Sequence, residues 1–220
     1  MATVLCTGAN RGIGLELCRQ LAGRGERVLG VCRSASAELR RLDLRVIDGI
    51  DVTDDASVQR LAEALGEERL DVLVNNAGLL VRDSLEALDL DAVRRQLEVN
   101  ALGPLRVTSA LLPRLAPAAK VVLITSRMGS LGDNGSGGYY GYRMSKAALN
   151  MAGVSLAHDL RARGVAVGIL HPGFVSTRMT GNAGAIEPAE AARRLISRID
   201  ELTLQTTGSF WNATGELLPW

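Results

Sequence analysis

The chain has 220 residues, a formal net charge of +1 at pH 7, and contents of 47% hydrophobic and 22% charged residues. This length suits one domain across residues 1–220 with a full core, and it leaves too little chain for two. The near-neutral charge excludes a strongly basic nucleic-acid-binding surface. No apolar run reaches the roughly 18 residues that a transmembrane helix needs, so no integral membrane segment is expected.

The chain contains three cysteines, Cys6, Cys18 and Cys32. Their odd number and the lack of a C-x-x-C pair argue against a disulfide framework and against a zinc site, so no metal is expected. Free thiols are typical of a reducing compartment. The apolar run at residues 1–6 is too short for a signal peptide and lacks a basic start, so we expect a cytoplasmic protein.

A glycine-rich turn follows the first predicted strand, Thr3–Thr7. Apolar residues then recur at positions 13, 17, 18 and 21, which is helical spacing. Glycines let the backbone turn sharply and let a phosphate come close, and the helix N-terminus presents free N–H groups to it. The pattern predicts a dinucleotide-binding turn formed by Gly8, Asn10, Arg11, Gly12, Ile13 and Gly14.

The end of the second predicted strand, Val28–Cys32, indicates which dinucleotide binds. Proteins that bind NAD usually carry an acidic residue about 20 positions after the glycine turn, where it holds the ribose 2′-hydroxyl. No acidic residue lies between Arg27 and Ala37. Arg33 stands at the strand end instead, and together with Arg11 it would suit a 2′-phosphate, so NADP(H) is preferred over NAD(H). Two solvated arginines are the alternative interpretation.

The rest of the chain alternates strands with helices. Further strands are predicted at residues 44–48, 70–74, 120–126, 165–170 and 208–212. After a turn, the last of them is expected to continue at residues 217–220. Helices are predicted at residues 56–65, 90–112 with an interruption at Gly103-Pro104, 139 or 140 to about 163, and 187–202. This alternation predicts an α/β fold with a doubly wound parallel sheet of about seven strands and helices on both faces.

Polar residues follow several strands, where ligands of such sheets bind. Asp51 could accept a hydrogen bond from an adenine amine, and Asn76, Ala77 and Gly78 end the fourth strand. Asn100 is either a plain surface residue or one that distorts its helix and holds a water.

Tyr142 and Lys146 are four residues apart, which places both on one face of a helix. The ammonium is expected to lower the pKa of the tyrosine by as much as about three units, making it a proton donor near neutral pH. Ser126 could donate a hydrogen bond to the same substrate oxygen. Surface helices also produce such pairs by chance. His171, at the end of the sixth strand, is expected to be structural.

These motifs resemble those of the short-chain dehydrogenase/reductase family over nearly the whole chain. The resemblance is carried, in family order, by Thr7-Gly8-x-x-x-Gly12-Ile13-Gly14, Asn75-Asn76-Ala77-Gly78, Asn100, Ser126, Tyr142-x-x-x-Lys146 and Pro172-Gly173. The compact length and the residues from Phe210 to Trp220 look most like the C-factor-like and sniffer-like carbonyl reductase branch.

The resemblance implies a single-domain Rossmann-type fold and an enzyme that transfers a hydride between NADP(H) and a carbonyl or alcohol. It implies that Tyr142 is the general acid or base, that Lys146 holds the nicotinamide ribose, and that Ser126 positions the carbonyl oxygen. Asn100 would hold a water that links Lys146 to solvent. The cofactor would also meet Asp51 and Asn76 beside the adenosine, and Val175 and Thr177 near the carboxamide. Pro172 would belong to the cofactor-binding residues as well. Relatives usually form homodimers or homotetramers.

Two departures from the family pattern matter. The interval from Ser126 to Tyr142 is longer than usual through the insert Gly132–Gly138, and the segment Thr177–Pro188, which usually covers the substrate, is short. They suggest an open site with weak substrate selectivity. The competing interpretation is a nucleotide-binding signalling or regulatory protein of the C-factor type with little turnover.

Overall fold

A single seven-stranded sheet forms the centre of the computed structural model, which describes residues 1–220. The strand order is β3-β2-β1-β4-β5-β6-β7, and every pairing between neighbours is parallel. The strands are β1 Thr3–Thr7, β2 Arg27–Val31, β3 Arg45–Ile47, β4 Leu70–Asn75, β5 Leu115–Ile124, β6 Ala166–His171 and β7 Phe210–Asn212. The predicted doubly wound parallel sheet is confirmed.

Helices cover both faces of this sheet. They are α1 Gly12–Gly23, α2 Ala37–Arg40, α3 Asp55–Leu65, α4 Leu90–Leu97, α5 Gly103–Leu111, α6 Tyr140–Arg161 and α7 Pro188–Glu201. Helices α1, α2 and α7 share one buried apolar cluster, and α3, α5 and α6 share the other. None of the helices combines the length and the apolar character that crossing a membrane requires.

The strands supply both clusters because successive side chains point to opposite faces of a sheet. In β1, Val4 and Cys6 belong to the cluster under α1, whereas Leu5 belongs to the other. All three are buried, which is why parallel strands read as continuous apolar runs in a sequence. Fully burying one leucine stabilises the fold by about 1.5–3 kcal/mol relative to leaving it exposed.

The helical run from residue 90 to residue 111 is distorted at Glu98–Leu102, where it forms a π-helical turn. The sequence-based interruption at Gly103-Pro104 is therefore wrong, because these residues begin α5. Pro104 fits there since a proline is tolerated in the first turn of a helix. The distortion lies instead around Asn100.

The C-terminal residues differ from the prediction in one respect. Strand β7 pairs in parallel with β6, with Phe210 opposite Ile169. Residues 217–220 do not form a strand, and a single antiparallel bridge joins Leu217 to Trp211. The Trp220 ring stacks on Phe210 instead, with 5.5 Å between ring centroids. The short helix α2 was not predicted, because four residues are too few for a helical period.

Candidate active site

A cavity of about 640 Å³ lies beyond the carboxyl ends of the strands, where a ligand of a doubly wound sheet is expected. Most of the predicted cofactor-binding residues line it: Gly8, Asn10, Arg11, Gly12, Ile13, Gly14, Arg33, Asp51, Asn76, Ala77, Gly78, Tyr142, Lys146, Pro172 and Thr177. The fold thus brings together residues from six separate segments of the chain. Their roles toward a cofactor remain predictions.

Val175, Ser126 and Asn100 do not line the cavity. Val175 is buried and forms a β-bridge with Ile186. Ser126 and Asn100 are also buried, and Ser126 lies next to Tyr142, which does line the cavity. Sequence reasoning missed several lining residues, among them Leu79, Val99, Arg178 and Met179. The last two directly follow Thr177, so extending that motif by two residues would have found them.

The glycine-rich turn leaves the start of α1 without a side-chain cap. Arg11 precedes the helix and makes no capping hydrogen bond, and the first turn holds no acidic residue. Gly14 is essential to this arrangement, since a Cβ there would lie 2.3 Å from the Gly8 carbonyl oxygen. The turn therefore offers uncapped N–H groups and a positive helix dipole at the cavity wall, as an anion site requires.

The Asn76 side chain supports this turn rather than pointing an amide at a ligand. Its Nδ2 donates to the carbonyl oxygens of Thr7 at 2.9 Å and Gly8 at 3.3 Å. The Thr7 hydroxyl in turn accepts from the backbone N–H groups of Asn76 at 3.0 Å and Ala77 at 3.1 Å. The ends of β1 and β4 are thus joined by side-chain hydrogen bonds beneath the cavity.

Arg33 and Asp51 both line the cavity and face each other. The distance from Arg33 Nη1 to Asp51 Oδ2 is 3.8 Å, and both side chains are exposed. Burial works to raise the pKa of Asp51, but hydrogen bonds from Thr53 and the charge of Arg33 outweigh it and lower that pKa. An exposed ion pair of this kind contributes at most about 1 kcal/mol, so Arg33 is available to an anionic ligand.

Helix α6 presents Tyr142 and Lys146 on one face, as the spacing predicts. Both side chains are buried. The Lys146 ammonium lies 5.8 Å from the centroid of the Tyr142 ring and donates to the Ile124 carbonyl oxygen at 2.9 Å. Ser126 follows the end of β5, and its hydroxyl accepts from the Met128 N–H at 3.1 Å. The end of β5 therefore anchors both the serine and the lysine.

The pKa values of this pair differ from the sequence-based expectation. Burial raises the pKa of Tyr142 to about 12, and the neighbouring Ser126 hydroxyl opposes this rise only in part. Burial lowers the pKa of Lys146 to about 8. The expected lowering of the tyrosine pKa is wrong, because removal from water disfavours the charged form of each group. Tyr142 consequently keeps its proton at neutral pH, as a proton donor must.

Asn100 is fully buried within the π-helical turn, so the surface interpretation of this residue is wrong. Its amide donates to the Leu79 carbonyl at 2.7 Å and accepts from the Leu79 N–H at 2.7 Å. It also donates to the Ser145 hydroxyl at 2.9 Å, which donates to the Tyr142 carbonyl at 2.8 Å. Asn100 therefore links the segment after β4 to the first turns of α6.

His171 lies at the end of β6 but does not line the cavity. Burial, with a smaller contribution from the charge of Arg127, lowers the pKa of His171 to about 4. The imidazole is neutral at physiological pH, in keeping with the structural role expected for it.

A doubly wound parallel sheet, an uncapped glycine-rich turn and a buried tyrosine–lysine pair on one cavity define a nucleotide-dependent oxidoreductase. The model of the short chain dehydrogenase family matches residues 2–187. The chain belongs to this family.

Two relatives match strongly in sequence. The 1-hydroxy-2-glutathionyl-2-methyl-3-butene dehydrogenase of Rhodococcus sp. (strain AD45) is 46% identical over 226 residues, and the match covers 100% of both chains. The C-signal protein of Myxococcus xanthus is 46% identical over 154 residues, which are 69% of this chain and 93% of that protein.

Solved structures of carbonyl reductases share the fold closely. The NADPH-bound carbonyl reductase from chicken fatty liver has a TM-score of 0.91 and 28% identity, with 100% of this chain and 99% of that chain covered. The carbonyl reductase Sniffer of D. melanogaster also has a TM-score of 0.91, at 27% identity and with both chains fully covered. The resemblance to the C-factor-like and sniffer-like branch is confirmed, and the chain is an oxidoreductase enzyme of this family.

Proposed function

We propose that this enzyme transfers a hydride between NADP(H) and a carbonyl or alcohol substrate, with the proton passing through Tyr142. The observation that carries the proposal is the buried group of Tyr142, Lys146 and Ser126, of which the tyrosine and the lysine line the cavity. The glycine-rich turn and Arg33 line the same cavity. One dinucleotide can therefore reach both the anion site and the proton donor.

The residues present fit NADP(H). The glycine-rich turn has no room for a Cβ at Gly14, and the uncapped start of α1 suits the pyrophosphate. Arg11 and Arg33 both line the cavity and would hold the 2′-phosphate, which supports a preference for NADP(H) over NAD(H). The volume of about 640 Å³ lies within the range of cofactor sites. Lys146 would hold the nicotinamide ribose.

When bound, NADP(H) supplies or accepts the hydride. Tyr142 holds a proton at its phenol oxygen and gives it to the carbonyl oxygen of the substrate during reduction. The Ser126 hydroxyl beside it donates a hydrogen bond to the same oxygen. The charge of Lys146, 5.8 Å from the tyrosine ring, stabilises the phenolate as the proton leaves. In the direction of oxidation the same groups act in reverse.

The test is NADPH consumption, followed by absorbance with NADH in parallel, across activated aldehydes, quinones and diketones. Tyr142→Phe is expected to lose turnover and to retain NADPH binding. Tyr140→Phe is the matched control, because this exposed tyrosine of the same helix turn does not line the cavity. Equal turnover in wild type and Tyr142→Phe would refute the assigned role.

A glutathione conjugate is a second substrate class worth testing. Arg178 lines the cavity, is exposed and forms no ion pair, so its guanidinium could meet a carboxylate of a glutathionyl group. The glutathionyl alcohol dehydrogenase described above supports this choice by its name and full-length similarity. Arg178→Ala should raise KM for a glutathionyl alcohol and leave KM for a small ketone unchanged. An equal change for both substrates would point to a cofactor contact.

The similarity to C-signal supports the alternative of a signalling protein with little turnover. NADPH binding without turnover of any carbonyl would favour it.

Three free, buried cysteines support a cytoplasmic location. The exposed Met144 and Met151 on α6 support assembly as a homodimer or homotetramer through this helix. A Met151→Glu variant that stays oligomeric in light scattering would argue against this interface.

A further inference from the structure

The long helix α6 begins without a cap of its own. Tyr139, which precedes the helix, makes no side-chain capping hydrogen bond, and the first turn holds no acidic residue. Tyr139 also has a φ of +53°, a left-handed conformation that a residue with a side chain keeps only when its surroundings hold it. The start of α6 therefore depends on another part of the chain, and Tyr142 lies in that first turn.

Asp83 supplies the missing cap from the segment that follows β4. Its carboxylate accepts hydrogen bonds from the backbone N–H of Tyr140 through Oδ1 and from that of Gly141 through Oδ2, the latter at 3.0 Å. The Asp83 carbonyl oxygen accepts from the Tyr139 N–H at 3.1 Å. One residue thus satisfies three successive N–H groups that the start of a helix otherwise leaves unpaired.

The capping segment, defined as Leu79–Asp83, is itself held in place. Asn100 Oδ1 accepts from the Leu79 N–H at 2.7 Å, and Gln96 Oε1 accepts from the Val81 N–H at 2.9 Å. Gln96 also packs against the start of α6, where a Cβ on Gly141 would lie 2.3 Å from its Nε2. Alternate residues of the segment therefore attach to α4, to the π-helical turn and to α6.

We propose that Asp83 is a positioning residue for Tyr142. Its carboxylate fixes the first turn of α6, and this turn places the tyrosine phenol beside Ser126 and Lys146. Without the cap, the first turn frays and the phenol loses its fixed position, whereas the glycine-rich turn that binds the cofactor is untouched. The inference rests on the proposed proton transfer by Tyr142, and its test separates the two.

The test compares Asp83→Ala and Asp83→Asn with a matched control, Asp89→Ala. Asp89 is the N-cap of α4, and its carboxylate also accepts from two N–H groups, those of Asp91 at 2.9 Å and Ala92 at 3.0 Å; it does not line the cavity. Both alanine variants should lower Tm by similar amounts. Only Asp83→Ala should lower kcat, by about 10- to 100-fold, with Kd for NADPH unchanged. Asp83→Asn retains one acceptor oxygen and should restore kcat in part.

Amide hydrogen exchange of residues 140–143 provides a readout that does not need turnover. Exchange should be faster in Asp83→Ala than in wild type and unchanged in Asp89→Ala. Equal kcat in the two alanine variants, or unchanged exchange in Asp83→Ala, would overturn the proposal while wild-type turnover still upheld the proposed function. A wild type without turnover would refute the proposed function, and the exchange data would then decide the cap separately.

Discussion

Replacing Gly14 by alanine is expected to destabilise the protein and to abolish tight cofactor binding. A Cβ at this position would lie 2.3 Å from the Gly8 carbonyl oxygen, 2.5 Å from Asn76 Nδ2 and 2.9 Å from the Gly8 carbonyl carbon. Two of these atoms belong to backbone that cannot rotate away. The glycine-rich turn must therefore move, and the anion site at the start of α1 moves with it.

The size of the effect of Gly14→Ala follows from three contributions. Overpacking of a tight contact costs about 1–3 kcal/mol. Displacing Asn76 breaks its hydrogen bonds to Thr7 and Gly8, each of which contributes about 1 kcal/mol. Alanine in a helix gains about 1 kcal/mol over glycine. The expected net loss in the free energy of unfolding is about 2–4 kcal/mol, or about 4–16 °C in Tm for a chain of this size.

Gly23→Ala at the other end of α1 is the matched control. A Cβ there meets nothing within 4 Å, so only the helix-forming preference of alanine acts. The free energy of unfolding of this variant should be higher than that of the wild type by about 0.5–1 kcal/mol. Urea unfolding measures both stabilities, and fluorescence titration measures NADPH binding, which should weaken at least tenfold in Gly14→Ala alone. This account of the turn would be refuted if the Gly14→Ala variant were as stable as Gly23→Ala and bound NADPH with unchanged affinity.

Three further predictions concern two residues that line the cavity, Arg33 and Lys146, and the insert Gly132–Gly138. Arg33→Ala should weaken NADPH binding far more than NADH binding in calorimetry, and Arg41→Ala, an exposed arginine outside the cavity, should change neither; an equal loss for both nucleotides would count against the 2′-phosphate contact. NADPH affinity should fall as the pH rises through about 8, where Lys146 loses its proton and charge, and Lys146→Met should remove this dependence; a wild-type affinity that is flat across this range would contradict the pKa. Arg143→Ala should speed amide exchange in the insert Gly132–Gly138, because its guanidinium donates to two carbonyl oxygens there at 3.2 and 3.3 Å; unchanged exchange would show that the insert is held by other contacts.

Much of the fold could be predicted because burial leaves a signal in the sequence. Strands buried on both faces are continuous apolar runs, as in Leu70–Val74, and the residues that follow them meet at one edge of the sheet. The glycine-rich turn and the Tyr142–Lys146 spacing are local patterns, so each could be found without knowing the fold. The strand order was needed only to predict that the glycine-rich turn and the Tyr142–Lys146 pair line the same cavity.

Other features depend on residues that are distant in the chain or on burial itself. The contact from Asp83 to the Tyr140 N–H joins residues 57 positions apart, and no local sequence pattern around either residue indicates it. The pKa of Tyr142 is raised because the group is removed from water, which an i, i+4 spacing does not reveal. The π-helical turn around Asn100 likewise has no periodic signature in the sequence. The nearby Gly103-Pro104 pair is typical of a helix interruption, although these residues begin α5.

The central position of β1 affects how the chain folds during synthesis. This strand precedes the other six in the chain, yet it lies between β2 and β4, with Leu5 opposite Leu29 on one side and Leu73 on the other. About 40 residues separate the end of β2 from the start of β4, which a ribosome translates in about 2–8 s. Throughout that interval one edge of an apolar strand is open to pairing with other chains. The emergence of β4 closes that edge, so substitutions that delay its docking should reduce the yield of folded protein more than its stability.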